Sequence, residues 1–148
     1  MSTRSEIAIL AEDGTVRAIY VHNYGQLYGV GSYLLRHYKR RADVEALLLL
    51  GDLSSIGKDV GSCHAYARDD GEPAEQTAAA VHVGLEAYLE YARTAVSPQY
   101  VYVYRARECA WEAYAKVYGE NGNHAEDKLV RHVAAWVFVP EAEAEHAA

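Results

Sequence analysis

The chain begins with a short apolar stretch followed by an alternating one, which predicts a β-hairpin over residues 6–22. Residues 7–11 are apolar, and Asp13-Gly14 then supplies the residue types that favour a two-residue hairpin turn. A period of two assigns the return strand to two faces, with Val16, Ala18, Tyr20 and His22 on one and Arg17, Ile19 and Val21 on the other.

Apolar side chains at helical spacing predict two helices, over residues 30–41 and 85–94. A shorter helix over residues 44–50 is indicated by Asp43, a favourable N-cap residue, and by Gly51, a residue type that commonly ends helices. Between the helices the sequence is rich in glycine and serine, which favours loops.

Short apolar stretches elsewhere predict further strands. The clearest covers residues 100–104, where three tyrosines alternate with two valines. Weaker patterns predict strands over residues 62–68, 76–83 and 111–118, whereas residues 128–139 fit either a strand or a helix.

This order of elements predicts an α+β fold. The N-terminal hairpin and the C-terminal strands would form one antiparallel sheet, with two or three helices packed on one face. Residues 1–140 contain no linker and no repeat, so we expect a single globular domain, and residues 141–148 are predicted to be a disordered acidic tail.

The cysteine content and the lengths of the apolar stretches indicate in which compartment the protein is expected. The two cysteines, Cys63 and Cys109, are too few for a disulfide scaffold. The sequence does not decide whether they form a single disulfide bond with each other. The first apolar stretch is too short for a signal sequence, and no apolar run is long enough to span a bilayer, so we expect a cytoplasmic protein with no membrane contact.

The formal net charge is −7, but it is unevenly distributed. Residues 1–41 hold six basic and three acidic side chains, whereas residues 42–148 hold eight and eighteen. The acidic balance disfavours binding of duplex nucleic acid.

A basic group lies at the end of the first predicted helix. It could contact an acidic partner, or it could be a solvated helix end with no partner. It consists of Arg36, His37, Lys39, Arg40 and Arg41.

The first part of the chain resembles a family of small proteins of phages, prophages and bacteria. The resemblance rests mainly on Met1-Ser2-Thr3-Arg4-Ser5, Ile19-Tyr20 followed by His22, Leu34-Leu35-Arg36-His37-Tyr38 and Leu50-Gly51-Asp52-Leu53-Ser54-Ser55-Ile56-Gly57. Members tend to carry a Cys-His-Trp-Asp-Gly-Tyr type segment after the Ile-Tyr pair, and this chain has Val21-His22-Asn23-Tyr24-Gly25, which keeps the histidine. The resemblance implies a phage-type accessory protein that acts on host proteins or host defence.

Two arrangements of residues suggest chemistry. The glycine-rich segment 25–31 follows a strand and opens a helix, a position that can bind an anion through backbone N–H groups, or that simply forms a tight turn. His22, Asp52 and His64 have side chains that suit a divalent metal ion, but their spacing matches no metal signature. We therefore assign no catalytic residue, no metal ligand and no cofactor.

The chain has 13 tyrosines but one phenylalanine, an imbalance typical of half-exposed and interface positions. The sequence thus predicts an exposed tyrosine-rich binding face, or alternatively a sheet face covered by helices with the hydroxyls at its rim. The predicted binding residues are Arg4, Tyr20, His22, Tyr24, Tyr28, Gly29, Gly31, Arg68, Tyr100, Tyr102 and Tyr104.

These observations favour a non-enzymatic binding protein that inhibits a host defence protein by occlusion. One alternative is a nucleotide or signal-molecule binder, in which the glycine loop takes phosphates, Tyr24 or Tyr28 stacks on a base and Arg4 or Arg68 pairs with charge. A further alternative is a metal-dependent hydrolase. A homodimer formed through the tyrosine strand is also compatible with the sequence.

Overall fold

The computed structural model describes residues 2–122 and 124–132 of the chain. The strands within these residues are β1 (Ser5–Leu10), β2 (Val16–Val21), β3 (Leu53–Ser55), β4 (His64–Ala65), β5 (Ala80–His82), β6 (Tyr100–Arg105), β7 (Ala110–Val117) and β8 (Lys128–His132). The helices are α1 (Ser32–His37), α2 (Arg41–Leu49), α3 (Tyr66–Asp70), α4 (Ala74–Thr77) and α5 (Leu85–Thr94).

The strands form one mixed sheet in the order β4-β3-β2-β1-β6-β7-β8, and β5 pairs with the outer edge of β2. Most neighbours are antiparallel, but β1 runs parallel to β6 and β2 runs parallel to β3. Parallel neighbours require a crossover connection. Helices α1 and α2 supply one between β2 and β3, and α5 lies in the connection that leads from β5 to β6, the parallel neighbour of β1. The predicted α+β fold with a mainly antiparallel sheet is confirmed, with two parallel pairs in addition.

The N-terminal hairpin forms where predicted, but the predicted two-residue turn is wrong. The N–H of Gly14 donates to the carbonyl of Ala11 (3.0 Å) and the N–H of Ala11 donates to the carbonyl of Thr15 (2.9 Å), so three residues, 12–14, form the turn. Strands β1 and β2 pair antiparallel, with Glu6 opposite Tyr20. Gly14 takes a φ of +92°, which the turn requires and which glycine adopts without steric cost. The predicted division of β2 into two faces is also confirmed, since Ile19 and Val21 join one core and Val16 and Ala18 join the other.

Two hydrophobic cores lie on opposite faces of the sheet. Helices α1 and α2 cover the first, which we call the Ile7 face. Helix α5 covers the second, which we call the Glu6 face. The prediction of two helices on one face therefore holds for α1 and α2, and α5 adds a third layer on the other side. Buried sheet residues of the Ile7 face include Ile7, Ile9, Ile19, Val21, Tyr102 and Tyr104, and those of the Glu6 face include Glu6, Ala8, Val16, Ala18, Val101 and Val103.

Strand β6 lies between β1 and β7, so it has no free edge. Tyr102 and Tyr104 are fully buried beneath the helices, and their hydroxyls donate to the carbonyl oxygens of Gly25 (2.7 Å) and Lys39 (2.9 Å). Tyr100 is half-buried. The prediction of an exposed tyrosine face on this strand is wrong, because the sheet face is covered by helices. Both edges of β6 are paired within the chain, so this strand offers no edge to a second copy, and the homodimer itself stays a prediction.

The strands predicted in the middle of the chain are shorter than expected. Over residues 62–68, β4 is followed directly by α3, because the Asp69 carboxylate accepts a hydrogen bond from the N–H of Ala65 and stabilises the helix start (2.8 Å). Over residues 76–83 the chain completes α4 before it extends as β5. Strand β3 lies in the glycine- and serine-rich sequence between the predicted helices, which was expected to form loops.

The helix predicted over residues 85–94 has the predicted bounds. The helix predicted over 30–41 is shorter, since α1 ends at His37, and α2 then begins at Arg41. Asp43 lies in the first turn of α2 rather than at its N-cap, so that prediction is wrong.

The C-terminal predictions are tested in part. Residues 128–132 form β8, which favours the strand interpretation of 128–139, whereas residues 133–139 and the predicted tail 141–148 lie outside the described residues. Among the helices that the structure describes, none combines the length and the apolar character needed to cross a membrane.

Candidate functional site

The candidate site is built around the loop that leads from β2 into α1, residues 22–31, which we call the tyrosine loop. Tyr24 takes a left-handed backbone conformation with a φ of 59°, which is unusual for an aromatic residue. Hydrogen bonds hold the backbone on both sides of it. The N–H of Gly25 donates to the carbonyl of Thr3 (2.8 Å), and the N–H of Val30 donates to the carbonyl of Tyr24 (2.7 Å). The conformation of the loop is therefore fixed by its own backbone and by the N-terminus.

Two glycines allow the loop to pack this closely. A Cβ atom on Gly25 would lie 2.8 Å from the Cβ of Ser5. A Cβ atom on Gly29 would lie 2.1 Å from the carbonyl oxygen of Tyr24, a backbone atom that cannot move aside freely. Gly29 also has a ψ of −106°, which interrupts the helical geometry of the turn over Leu27–Gly31. We therefore assign Gly29 a structural role, which is to let the loop close on itself.

The loop presents two tyrosines to solvent. Tyr24 is 37% exposed and Tyr28 is 46% exposed, and neither hydroxyl bonds to any residue that the structure describes. Tyr20 differs, because its ring is half-buried and its hydroxyl is 2.8 Å from Nδ1 of His22. Burial raises the pKa of the Tyr20 hydroxyl, and nearby Arg4 partly offsets that increase. Of the tyrosines predicted to bind, Tyr24 and Tyr28 are thus available for contact.

The N–H groups of the three glycines in the loop and of Ser32 are already used within the protein. Those of Gly29 and Gly31 donate to the carbonyl of Gln26 (2.9 and 3.4 Å). The N–H of Ser32 donates to the carbonyl of Gly29. A phosphate cradle needs free N–H groups directed at the ligand. The geometry therefore favours the tight-turn interpretation of the glycine-rich segment over the anion-binding one.

Arg4 and His22 come together at a groove next to the loop. The groove has a volume of about 310 Å³, and its lining residues are Ser2, Arg4, His22, Val96, Ser97, Gln99 and Tyr118. Ser2 donates to the side chain of Asn23 (2.6 Å), which ties the start of the chain to the loop. The sequence identified Arg4 and His22 but gave no sign of the residues from the ends of α5 and β7.

Arg68 does not belong to this site, although the sequence grouped it with Arg4. Its guanidinium donates to the carbonyl oxygens of Val60 (2.7 Å) and Cys63 (2.6 Å) and to the carboxylate of Asp69 (2.9 Å). These bonds hold the segment before α3 in place. Because its donors are engaged in structural bonds, the geometry does not favour the predicted ligand-binding role of Arg68, which stays a prediction.

The three candidate metal ligands do not converge. The Nδ1 atom of His22 faces the hydroxyl of Tyr20, and Nε2 of His64 is 2.8 Å from Asp70. The carboxylate of Asp52 accepts the backbone N–H of Tyr20 (2.9 Å). In the part of the chain that the structure describes, no three His, Cys, Asp or Glu side chains are grouped as metal ligands would be. The geometry does not support the hydrolase hypothesis in the form proposed from the sequence.

The two cysteines are free, so the disulfide left open by the sequence is not formed. Cys63 is buried and Cys109 is exposed.

The basic group after α1 is partly neutralised, since Arg40 pairs with Asp43 (3.1 Å) and Arg41 pairs with Glu12 (2.7 Å). Its simpler interpretation, a solvated helix end, accounts for these contacts.

A buried polar cluster on the Glu6 face was missed by the sequence analysis. The Glu6 carboxylate accepts a hydrogen bond from the hydroxyl of Tyr88 on α5 (2.8 Å), and both side chains are buried. Burial raises the pKa of Glu6 from its ordinary 4.5 to about 7, despite the opposing effect of the Tyr88 hydroxyl. Burial likewise raises the pKa of Tyr88. This pair connects β1 to α5 through a group whose charge changes near neutral pH.

Other polar side chains surround this pair. Lys116 on β7 donates to the carbonyl of Ala95 (2.6 Å), and burial lowers its pKa. The ring of His82 on β5 packs between Tyr88 and Tyr91, with ring centres 4.9 and 5.0 Å away. A glutamate inside an apolar strand is a signal that the sequence does contain, because Glu6 precedes five consecutive apolar residues and shares a face with Ala8.

No family model matches this chain, and no curated protein or solved structure shows significant similarity to it.

Proposed function

We propose that this protein is a binding protein rather than an enzyme, and that it acts by covering a surface of a partner protein with its tyrosine loop. The observation that carries the proposal is the presentation of Tyr24 and Tyr28 on a backbone that is hydrogen-bonded in place. Tyrosine supplies a large contact area and a polar tip, and it is enriched at protein interfaces.

The fixed backbone matters for the affinity of such a contact. A loop that must become ordered on binding loses conformational entropy, and a loop that is already ordered avoids that cost. The left-handed conformation at Tyr24 is one that this residue type rarely adopts. A conformation of this kind persists only where surrounding bonds enforce it, and such positions concentrate at functional sites.

The kind of partner follows from charge and from the resemblance of the first part of the chain to phage and prophage proteins. Residues 1–41 are net basic, and Arg4 is exposed beside the loop. A host protein with an acidic surface would complement this region. We propose that the partner is a host defence protein in the bacterial cytoplasm and that occlusion inhibits it.

Retention of bacterial proteins on immobilised protein tests this proposal. We expect the wild type to retain a discrete host protein, and the Tyr24→Ala/Tyr28→Ala double variant to retain at least tenfold less of it, since removing two interface tyrosines typically costs about 2 kcal/mol or more. Val81→Ala/Val83→Ala is the matched control, because both valines are strongly exposed (70% and 89%) but lie on and beside β5.

Equal retention by the wild type and the tyrosine variant would contradict the proposal. So would loss of retention in the valine control with the tyrosine variant unaffected, because the contact surface would then lie at β5. Circular dichroism of all three proteins confirms that each is folded before the comparison is made.

A further inference from the structure

The groove beside the tyrosine loop has an unusual lining for so acidic a protein. Its seven lining residues include one arginine, one histidine, three hydroxyls and one amide, but no carboxylate. The whole chain nevertheless carries 21 acidic side chains and a net charge of −7. A concave surface that contains hydrogen-bond donors and lacks carboxylates is suited to an anion.

Two other grooves show that this lining is not general to the surface. One, of about 520 Å³, lies between α5 and the end of β7 and includes Glu120, Glu126 and Asp127. Another, of about 180 Å³, lies at the turn between β6 and β7 and includes Glu12 and Glu108. Each of them also contains two basic side chains, Arg93 and Lys128 in the first and Arg105 and Arg107 in the second, but neither lacks carboxylates as the groove at Arg4 does.

The polar groups in the groove have bonding capacity left for a ligand. The Arg4 guanidinium is exposed and makes no bond to the described residues, yet it lies close enough to Tyr20 to influence the pKa of that hydroxyl. The side-chain oxygen of Gln99 accepts the N–H of Arg4 (3.3 Å), so its amide N–H groups stay available. The Tyr20 hydroxyl engages Nδ1 of His22, which leaves Nε2 for a further partner.

One wall of the groove is apolar and aromatic. Val96 is 82% exposed and Tyr118 is 48% exposed, although both line the concave surface. An aromatic ring beside an arginine is an arrangement that binds a base together with its phosphate. A volume of about 310 Å³ lies at the lower end of the range of small-molecule sites.

We propose that this groove binds a phosphate-bearing ligand of the size of a nucleoside monophosphate. Arg4 pairs with the phosphate, Gln99 and His22 contribute hydrogen bonds, and Tyr118 stacks on the base. This site adjoins the tyrosine loop and shares His22 with it, but it does not use Tyr24 or Tyr28, which carry the proposed partner contact. It differs from the nucleotide site suggested by the sequence, because the glycine N–H groups of the loop donate to carbonyl oxygens within the protein and the phosphate would instead pair with Arg4.

Titration of the full chain, labelled with ¹⁵N, with adenosine monophosphate, inorganic phosphate and adenosine tests the proposal. We expect saturable shifts with the monophosphate at the amides of residues 2–4, 22, 96, 97, 99 and 118. Arg4→Gln should weaken binding at least tenfold, because it removes a charge-assisted pair. Arg107→Gln is the matched control, since it removes the same charge from an exposed residue in the turn after β6.

Each of the three ligands tests a different part of the proposal. Inorganic phosphate that binds as tightly as the monophosphate would support the anion contact and overturn the role of Tyr118. Adenosine that binds as tightly would overturn the role of Arg4. No saturable shift with any of the three, or equal affinity in Arg4→Gln and the wild type, would overturn the whole proposal. The titration contains no partner protein, so its result is independent of the proposed occlusion.

Discussion

Replacing Glu6 with glutamine should raise the free energy of unfolding by about 3 kcal/mol at pH 8.5 and by less than about 1 kcal/mol at pH 5. The buried carboxylate has a pKa of about 7 in the folded protein, whereas the ordinary value is 4.5. Below pH 4.5 the group is protonated in both states and costs no stability. As the pH rises from 4.5 to 7, the unfolded state releases its proton first, so the wild type loses stability across that window.

Glutamine removes this loss because it stays neutral, and its side-chain oxygen can still accept the Tyr88 hydroxyl. Urea denaturation of both proteins between pH 5 and 8.5 measures the difference. Glu75→Gln is the control, because Glu75 is exposed on α4 and should give the same stability as the wild type throughout. Curves for Glu6→Gln and the wild type that run parallel with pH would show that the Glu6 carboxylate is not buried as described.

Replacing Gly29 with alanine should destabilise the protein by about 3 kcal/mol, near the upper end of the effects of overpacking. The new Cβ would lie 2.1 Å from the carbonyl oxygen of Tyr24, so the loop has to open. That carbonyl also accepts the N–H of Val30, and opening the loop would break this bond. We expect the variant to lose partner binding together with stability.

Denaturation of Gly61→Ala provides the comparison for Gly29→Ala. Gly61 is exposed, and a Cβ there would lie 3.4 Å from the Asp59 side chain, a contact that a small shift relieves. We expect its stability to stay within about 0.5 kcal/mol of the wild type, as for most surface substitutions. A Gly29→Ala variant as stable as Gly61→Ala would mean that the loop is not packed as the structure shows.

Local sequence patterns were sufficient to predict those helices and strands whose structure depends on neighbouring residues. Asp13-Gly14 marks the position of the hairpin, although its turn has three residues rather than two, and the apolar stripe marks the helix at 85–94, which forms as predicted. The strand at 53–55 was not predicted, because three residues are too few to show a period. Its parallel pairing with β2 depends on the crossover through α1 and α2, which no local pattern encodes.

The site could be predicted in part. The sequence drew attention to Tyr24, Tyr28, Arg4 and His22, which the structure places in or beside one loop. It could not separate them from Tyr102 and Tyr104, since alternation assigns these tyrosines to one face but does not show whether a helix covers that face. The groove could not be predicted from the sequence, because its lining brings together residues about 95 positions apart, such as Arg4 and Gln99.

Photocrosslinking tests the central claim, that the tyrosine loop is the contact surface, most directly. Benzoylphenylalanine replaces Tyr28 in one protein and Val83 in another, and both are irradiated in bacterial cells. Val83 is 89% exposed and lies beside β5, so it reports non-specific contact. We predict one discrete light-dependent adduct from position 28 and none from position 83. An adduct from position 83 with none from position 28, or the same pattern from both, would contradict the claim.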